Sequence, residues 1–240
     1  GQRDLAKYCY SVAKNGGRLF VEAPTGIGKT MSTLYPFIKR INDDDKAKIF
    51  YLTAKTSGKE SAFNAVNILK DNGLIIKDIV ITAKDKICFC KGKGCNPDEC
   101  PFAKGYYNKI QSVLRYSILN YHNFNLDLIE TIAMNHGICP FEFELDLSLF
   151  CDGIICDYNY VFDPMSYMKR YFDEDCSHYL LLVDEAHNLI DRSRDMYSAS
   201  LSYEKYLLAK KSVRHSKLTK LKRALSKVTK MFNESMDILP

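Results

Sequence analysis

The sequence has no apolar stretch that approaches the roughly 20 residues needed to cross a bilayer. Its first residues, Gly1-Gln2-Arg3-Asp4, lack the basic start and apolar core of a secretory signal peptide. It also has no internal repeat and no linker rich in proline, glycine or serine. We therefore predict a cytoplasmic protein without membrane contact, built as one domain with a sizeable insertion. Since the 240 residues begin without Met and end at Pro240 without a closing element, we expect a fragment of a longer protein.

Hydrophobic residues make up 46% of the sequence, which is typical of a folded domain with a core. The charge of the chain, by contrast, is unevenly distributed. The net charge is +5, yet residues 205–230 hold ten Lys or Arg and no Asp or Glu. A basic lobe on an acidic body indicates a polyanionic partner, and a solvated helix face is the alternative. An apolar stripe in this lobe predicts an amphipathic helix that contacts a core or subdomain; it consists of Leu218, Leu221, Leu225, Val228 and Phe232.

Short β-rich runs alternate with longer helical ones over most of the chain. This alternation predicts an α/β fold, with a parallel sheet covered by helices on both faces. The predicted strands are Arg18–Ala23, Lys48–Thr53, Asp78–Thr82, Gly153–Asp157 and Tyr179–Asp184. The predicted helices cover 28–41, 59–69, 103–120, 126–136 and a stretch around 165–171. Between about 84 and 149 the alternation stops, so this stretch looks inserted between two strands.

One motif, Ala23–Thr30 (Ala-Pro-Thr-Gly-Ile-Gly-Lys-Thr), follows a predicted strand and opens a predicted helix. This is the context of a phosphate-binding P-loop, although the general pattern has glycine at the position of Ala23. The glycines let backbone N–H groups turn around phosphate oxygens, and the helix adds its positive N-terminal end. Lys29 would reach the β- and γ-phosphates, and Thr30 would bind Mg²⁺. The predicted nucleotide-binding residues of this loop are Thr25, Gly26, Ile27, Gly28, Lys29 and Thr30.

A second motif, Leu180–His187, is an apolar strand that ends in two carboxylates. Asp184 stands where Walker B aspartates hold Mg²⁺, and Glu185 is placed to orient the attacking water. His187 is expected to couple the nucleotide to a nucleic acid. The alternative is a helix N-cap with acidic residues in its first turn, but a position downstream of a P-loop favours a nucleotide site. The predicted catalytic residues are Lys29, Asp184, Glu185 and His187.

Nine cysteines are many for a chain of this length, and five of them lie in the predicted insertion. In a reducing compartment such a group indicates a metal site rather than disulfides. The irregular spacing and the two Cys-Pro pairs favour an iron–sulfur cluster over zinc, which stays open as the alternative. The candidate ligands are Cys88, Cys95, Cys100 and Cys139, with Cys90 able to replace Cys88. Four further cysteines are predicted to be ordinary buried thiols: Cys9, Cys151, Cys156 and Cys176.

Taken together, Ala23–Thr30, the spaced cysteines and Asp184–His187 resemble the XPD/DinG family of superfamily 2 helicases. Helicases commonly have Ala at the position of Ala23. The segments 139–142 and 156–164 also resemble family segments, and the bacterial DinG-like branch is the nearest in likeness. The resemblance implies that Gln2 contacts adenine and that Thr53 and Lys55, in the motif after the second strand, contact the DNA backbone.

The same resemblance implies a RecA-like motor domain over 1–83 and 150–200. It also implies an insertion over 84–149 with a [4Fe–4S] cluster on the four candidate cysteines, and the start of a helical arch domain over 201–240. The expected activity is ATP- and Mg²⁺-dependent 5′→3′ unwinding by a monomer on single-stranded, fork and overhang DNA, in bacterial repair or replication. The residues alone leave open an ATP-gated nucleic-acid binding module with structural zinc and no unwinding. A second RecA-like domain, which supplies an arginine to the ATP site, is not found before residue 240, so we predict little hydrolysis by this chain alone.

Overall fold

The computed structural model describes residues 1–24, 28–41, 46–173 and 175–236, with backbone alone at 235 and 236. The chain forms two compact units, Gly1–Met196 and Tyr197–Pro240. The strands are β1 Lys48–Leu52, β2 Asp78–Val80, β3 Asn123–Phe124, β4 Gly153–Cys156 and β5 Tyr179–Val183. The helices are α1 Gln2–Asn15, α2 Lys29–Ile41, α3 Thr56–Asp71, α4 Lys84–Ile87, α5 Tyr106–Asn120, α6 Leu126–His136, α7 Pro140–Ser148, α8 Asn159–Phe162, α9 Lys169–Phe172, α10 Leu189–Met196, α11 Tyr203–Val213 and α12 Thr219–Met236.

The five described strands form one parallel sheet in the order β3-β2-β4-β1-β5. Strand β1 lies between β4 and β5, with Leu52 opposite Cys156 on one side and Val183 on the other. The carboxyl ends of these strands therefore meet at one edge of the sheet. The residues that follow β1, β4 and β5 lie together at this edge.

The alternating side chains of β1 divide the first unit into two apolar layers. Phe50 and Leu52 belong to a cluster that includes α5, α6 and α7. Ile49 and Tyr51 belong to a second cluster, which α1, α2 and α3 cover. Side chains that alternate between faces at every residue are the normal consequence of strand geometry. The sheet is thus covered on both faces, as the sequence pattern predicts.

The predicted strand over Arg18–Ala23 is wrong. Residues 18–23 form no strand, and the side chain of Phe20 is 88% exposed. Composition suited to a strand is not sufficient, because a strand also needs a neighbour to pair with and a layer to pack against. The predicted helix around 165–171 is reduced to α9, since the Asp163 carboxylate accepts a hydrogen bond from the Met165 N–H at 2.8 Å and stabilises a turn there.

The cysteine-bearing stretch is more closely joined to the sheet than an independent insertion would be. Its strand β3 pairs with β2, a feature too short for any sequence pattern to reveal. Its helices α5 and α6 follow the predicted segments, and their apolar side chains share a cluster with Phe50 and Leu52. The predicted domain limits at 84, 150 and 201 stay predictions.

The second unit contains a helix pair. Tyr206 of α11 donates a hydrogen bond to the Leu225 carbonyl of α12 at 3.0 Å, and its ring lies 5.2 Å from that of Phe232. The predicted amphipathic helix is confirmed as α12, although Leu218 of the predicted stripe precedes this helix and both Leu218 and Leu221 are exposed. Among the described helices, none is both long and apolar enough to span a bilayer.

Candidate active site

The first residue of α2, Lys29, faces the residue that follows β5. Its ammonium donates a hydrogen bond to the Ala23 carbonyl at 3.2 Å and lies 3.7 Å from the Glu185 Oε1. Both side chains are about one-third exposed, so solvent screens the ion pair and its contribution to stability is small. The structure thus brings together the predicted P-loop lysine and the predicted water-orienting carboxylate, 156 positions apart by their residue numbers.

The side chain of Gln2 lies against the P-loop. Gly28 has φ 72°, and a Cβ atom added there would be 2.6 Å from the Gln2 Nε2. Glycine is favoured at this position by the backbone conformation, whereas the Gln2 amide, at the end of a flexible side chain, could move aside. Thr25, Gly26 and Ile27 lie outside the described residues.

Tyr51 lies beside the two predicted Mg²⁺ ligands. Its hydroxyl is close to the side chains of both Thr30 and Asp184, and burial raises the pKa of this phenol. Thr30 also lies 3.3 Å from the Ser61 hydroxyl, oxygen to oxygen. Hydroxyl and carboxylate oxygens are donors of the hard type that Mg²⁺ prefers, so the two side chains fit the ion chemically. Sequence analysis missed Tyr51, because a tyrosine inside an apolar strand resembles ordinary core.

The turn after β5 holds three of the predicted residues. The Asp184 N–H donates a hydrogen bond to the Leu52 carbonyl at 2.9 Å, which extends the strand pairing by one residue. Glu185 has φ 51° and ψ 46°, in the left-handed region. The exposed ring of His187 lies 3.5 Å from the Glu185 Oε2, measured from its Nδ1. The Glu185 carboxylate therefore stands between the Lys29 ammonium and the His187 ring.

The two predicted DNA-contacting residues differ in exposure. Thr53 is buried; its hydroxyl accepts a weak hydrogen bond from the Lys55 N–H at 3.4 Å and lies against Gly58. Lys55 is exposed at the N-cap of α3, at the same sheet edge as Asp184. The structure therefore leaves the Lys55 side chain accessible and occupies the Thr53 hydroxyl within the chain.

Several of the candidate cysteines lie close to one another. The Cys90 thiol is near that of Cys100, and the Cys90 N–H donates to the Cys88 Sγ at 3.4 Å. Burial raises the pKa of the Cys139 thiol, and Cys100 lies near enough to add to that effect. The Lys84 ammonium lies close to the Cys95 thiol. In the described part of the chain, no three Cys, His, Asp or Glu side chains are arranged to hold one metal ion.

This arrangement is still compatible in its chemistry with a four-iron cluster. Such a cluster is bound by four thiolates, and each binds a different iron, so its ligands do not converge on one point as those of a single ion do. The predicted set supplies the four thiols, and Cys90 supplies a fifth. Of the cysteines predicted to be buried, Cys9, Cys151 and Cys156 are confirmed. The prediction for Cys176 is wrong, because this residue lies exposed in the loop before β5.

A parallel sheet with helices on both faces, and a lysine and two carboxylates at its carboxyl edge, are features of a RecA-like α/β domain. The DEAD_2 family model matches residues 55–206, and the chain belongs to this family. It is 22% identical over 224 residues to the ATP-dependent DNA helicase XPD of Sulfolobus acidocaldarius, covering 92% of this chain and 38% of the relative. It is also 22% identical over 120 residues to the chicken (Gallus gallus) Fanconi anemia group J protein homolog, covering 50% of this chain and 9% of the relative.

Two solved structures have the same fold. One described as truncated XPD superposes with a TM-score of 0.63 at 21% identity, covering 96% of this chain and 64% of that one. Another, described as an XPD helicase, gives 0.65 at 21% identity, covering 97% and 40%. The chain therefore spans well under half the length of the curated relatives that it matches.

Proposed function

We propose that this chain is the ATP-binding first motor domain of a DNA helicase. The observation that carries the proposal is the arrangement at the sheet edge in a DEAD_2 chain. Lys29 faces Glu185 at 3.7 Å, and Thr30 and Asp184 both lie close to the Tyr51 hydroxyl. An ammonium, a carboxylate and a pair of oxygen ligands are the groups that phosphoryl transfer to water requires.

Each of these residues has a distinct proposed role in ATP hydrolysis. Lys29 stabilises the negative charge on the transferred phosphate, and Thr30 and Asp184 hold Mg²⁺. Glu185 orients the attacking water, and His187 links its position to bound DNA. Gln2, whose amide lies next to Gly28, recognises the base.

The nucleic-acid partner is proposed to be single-stranded DNA and DNA with a fork or overhang. Lys55 supports this, because it is an exposed cation at the sheet edge that carries Asp184. The ten cations of residues 205–230 provide a further basic surface suited to phosphates. We propose 5′→3′ movement by a monomer that acts in DNA repair or replication in a bacterial cytoplasm.

The cysteine segment is proposed to bind a [4Fe–4S] cluster through Cys88, Cys95, Cys100 and Cys139. The proximity of Cys100 to Cys139 supports this set, and the proximity of Cys90 to Cys100 keeps Cys90 as an alternative ligand. When bound, the cluster would crosslink the loop before α5 to the start of α7 and thereby stiffen it. The protein's own contribution is to anchor the segment, since Cys139 packs against the core that is shared with the sheet.

The test of the ATPase proposal is the variant Lys29→Ala in the complete protein. We expect DNA-stimulated ATP turnover to fall by roughly a hundredfold or more, about 3 kcal/mol of transition-state stabilisation. The matched control is Lys39→Ala, which removes an exposed ammonium near the other end of the same helix and should leave turnover within about twofold. If Lys29→Ala retained the turnover of Lys39→Ala, the assignment of the P-loop would be wrong.

A further inference from the structure

A buried phenol holds the turn that carries Glu185. Tyr158 is fully buried, and its hydroxyl hydrogen is shared between two consecutive backbone carbonyls, those of Asp184 and Glu185. The contact to Glu185 measures 3.2 Å. These two peptide groups immediately follow β5, where the Asp184 and Glu185 side chains project into the site.

The turn needs such support because of its backbone conformation. Among the described residues other than glycine, Glu185 alone has a positive φ. A left-handed residue with a side chain costs roughly 1–2 kcal/mol, so its neighbours must stabilise it. Asn188 contributes to this, because its backbone N–H and its side-chain amide both donate hydrogen bonds to the Glu185 carbonyl at 3.0 Å. Tyr158 donates to the same carbonyl from the core side.

The phenol is itself held by rigid parts of the fold. Tyr158 follows β4, and the carbonyl of Cys156 in that strand accepts a hydrogen bond from the Thr53 N–H at 3.0 Å. On either side of the tyrosine, Arg192 donates to Asp157 Oδ1 at 3.0 Å and to Asn159 Oδ1 at 2.9 Å. The position of the Tyr158 hydroxyl is thus determined by strand β4 and by the two hydrogen bonds from Arg192 of α10.

We propose that Tyr158 is a positioning residue for Glu185. This inference rests on the proposed ATPase function and deepens it. By fixing the two carbonyls, the phenol keeps Glu185 in its left-handed conformation. That conformation directs the carboxylate to 3.7 Å from the Lys29 ammonium and 3.5 Å from the His187 ring. We expect loss of the hydroxyl to leave nucleotide binding intact, because this hydroxyl bonds to the turn after β5, and to impair the step in which Glu185 orients water.

The kinetic test compares Tyr158→Phe with Tyr171→Phe in the complete protein. Tyr171 is a matched control, because it is also a buried phenol of the same core, and its hydroxyl contacts that of Ser148 at 2.7 Å, oxygen to oxygen. We expect Tyr158→Phe to lower kcat for ATP by roughly tenfold, with KM unchanged within about twofold. Tyr171→Phe should change neither. Equal kcat values for the two variants, in a protein that Lys29→Ala inactivates, would overturn the positioning role and leave the proposed ATPase standing.

A second measurement does not depend on activity. The Asn188 N–H is bonded to the Glu185 carbonyl, so its hydrogen exchange reports on the order of this turn. Tyr158→Phe should accelerate exchange of the Asn188 amide by roughly tenfold without changing that of β4, and Tyr171→Phe should not. Asn188→Ala removes the other side-chain donor to this carbonyl and provides a second variant in case Tyr158→Phe does not fold. Asn188→Ala should lower kcat in the same way as Tyr158→Phe.

The two proposals fail in different ways. If Lys29→Ala and wild type hydrolysed ATP at the same rate, the proposed ATPase function would be wrong. The exchange data would still decide whether Tyr158 orders the turn. If exchange at the Asn188 amide were the same in Tyr158→Phe and Tyr171→Phe, or if the loss of the hydroxyl raised KM and left kcat unchanged, the positioning role would be refuted.

Discussion

Glu144 of α7 joins the cysteine segment to the sheet, and its removal should destabilise the first unit strongly. The side chain is fully buried, and both carboxylate oxygens accept from the Thr82 N–H at 3.1 Å, just beyond β2. Burial raises the pKa of Glu144 well above its usual range, and the Thr82 N–H and the nearby Lys59 ammonium offset only part of this rise. Lys59 is itself tied to this edge, because it donates to the Ile81 carbonyl at 2.8 Å.

The magnitude follows from these contacts. Glu144→Ala leaves the Thr82 N–H buried without an acceptor, which costs about 2 kcal/mol. The space vacated by the side chain adds about 1 kcal/mol. We therefore expect the free energy of unfolding to fall by about 3 kcal/mol. Glu144→Gln keeps an acceptor oxygen and the volume, so we expect it to lose about 1 kcal/mol.

The assay is equilibrium unfolding in urea, monitored by circular dichroism. Glu142→Ala is the matched control, because Glu142 lies in the same helix with its side chain exposed and should change stability by about 0.5 kcal/mol or less. With a slope of about 2 kcal/mol/M, Glu144→Ala would lower the midpoint by about 1.5 M. Equal midpoints for the two alanine variants would refute the reasoning that this carboxylate is the acceptor for a buried N–H.

Three further predictions concern other parts of the chain. Gly28→Ala should weaken Mg-ATP binding by roughly tenfold, because strain at φ 72° disturbs the loop and displaces the Gln2 amide; titration calorimetry measures this. Gly73→Ala, with φ 93° and open space, should only reduce stability. Burial raises the pKa of Asp78 from 3.8 to about 6, so the folded state binds this proton more tightly than the unfolded state does. The free energy of unfolding should therefore fall by about 3 kcal/mol as pH rises from about 4 to about 6. A series of thermal melts should show a flatter dependence of stability on pH for Asp78→Asn. Anaerobically purified protein should contain about four irons, and Cys95→Ser should lose them; zinc in their place, or iron retained by the variant, would contradict the ligand set.

The sequence was most informative where a pattern and a structural requirement coincide. The runs that became β1, β4 and β5 are apolar, and the residues that follow them lie at the candidate site. Strand positions and candidate site residues could therefore be predicted together. Lys29, Asp184 and Glu185 could be proposed because phosphate and Mg²⁺ chemistry restricts the residue types that can serve there. The structure places Lys29 3.7 Å from Glu185, with the His187 ring beside Glu185.

What the sequence did not reveal depends on contacts between distant residues. Three residues acquire their roles from contacts with groups far along the chain, and no local pattern distinguishes them from core residues. They are Tyr51, Glu144 and Tyr158. Arg18–Ala23 shows the opposite error, since its apolar residues match a strand without a partner to pair with. The exposure of Cys176 likewise could not be predicted, because composition alone does not separate a loop thiol from a buried one.

The edge strand β3 has a practical consequence for protein engineering. Because Asn123–Phe124 pairs with Asp78 and Ile79 of β2, deleting residues 84–149 would uncover backbone N–H and C=O groups along this edge of β2. It would also remove the apolar side chains that cover one face of the sheet. An open strand edge beside an uncovered apolar face favours association between copies. A minimal motor made by excising the cysteine segment would therefore be expected to aggregate, and trimming of this protein should stop short of β3 and α7.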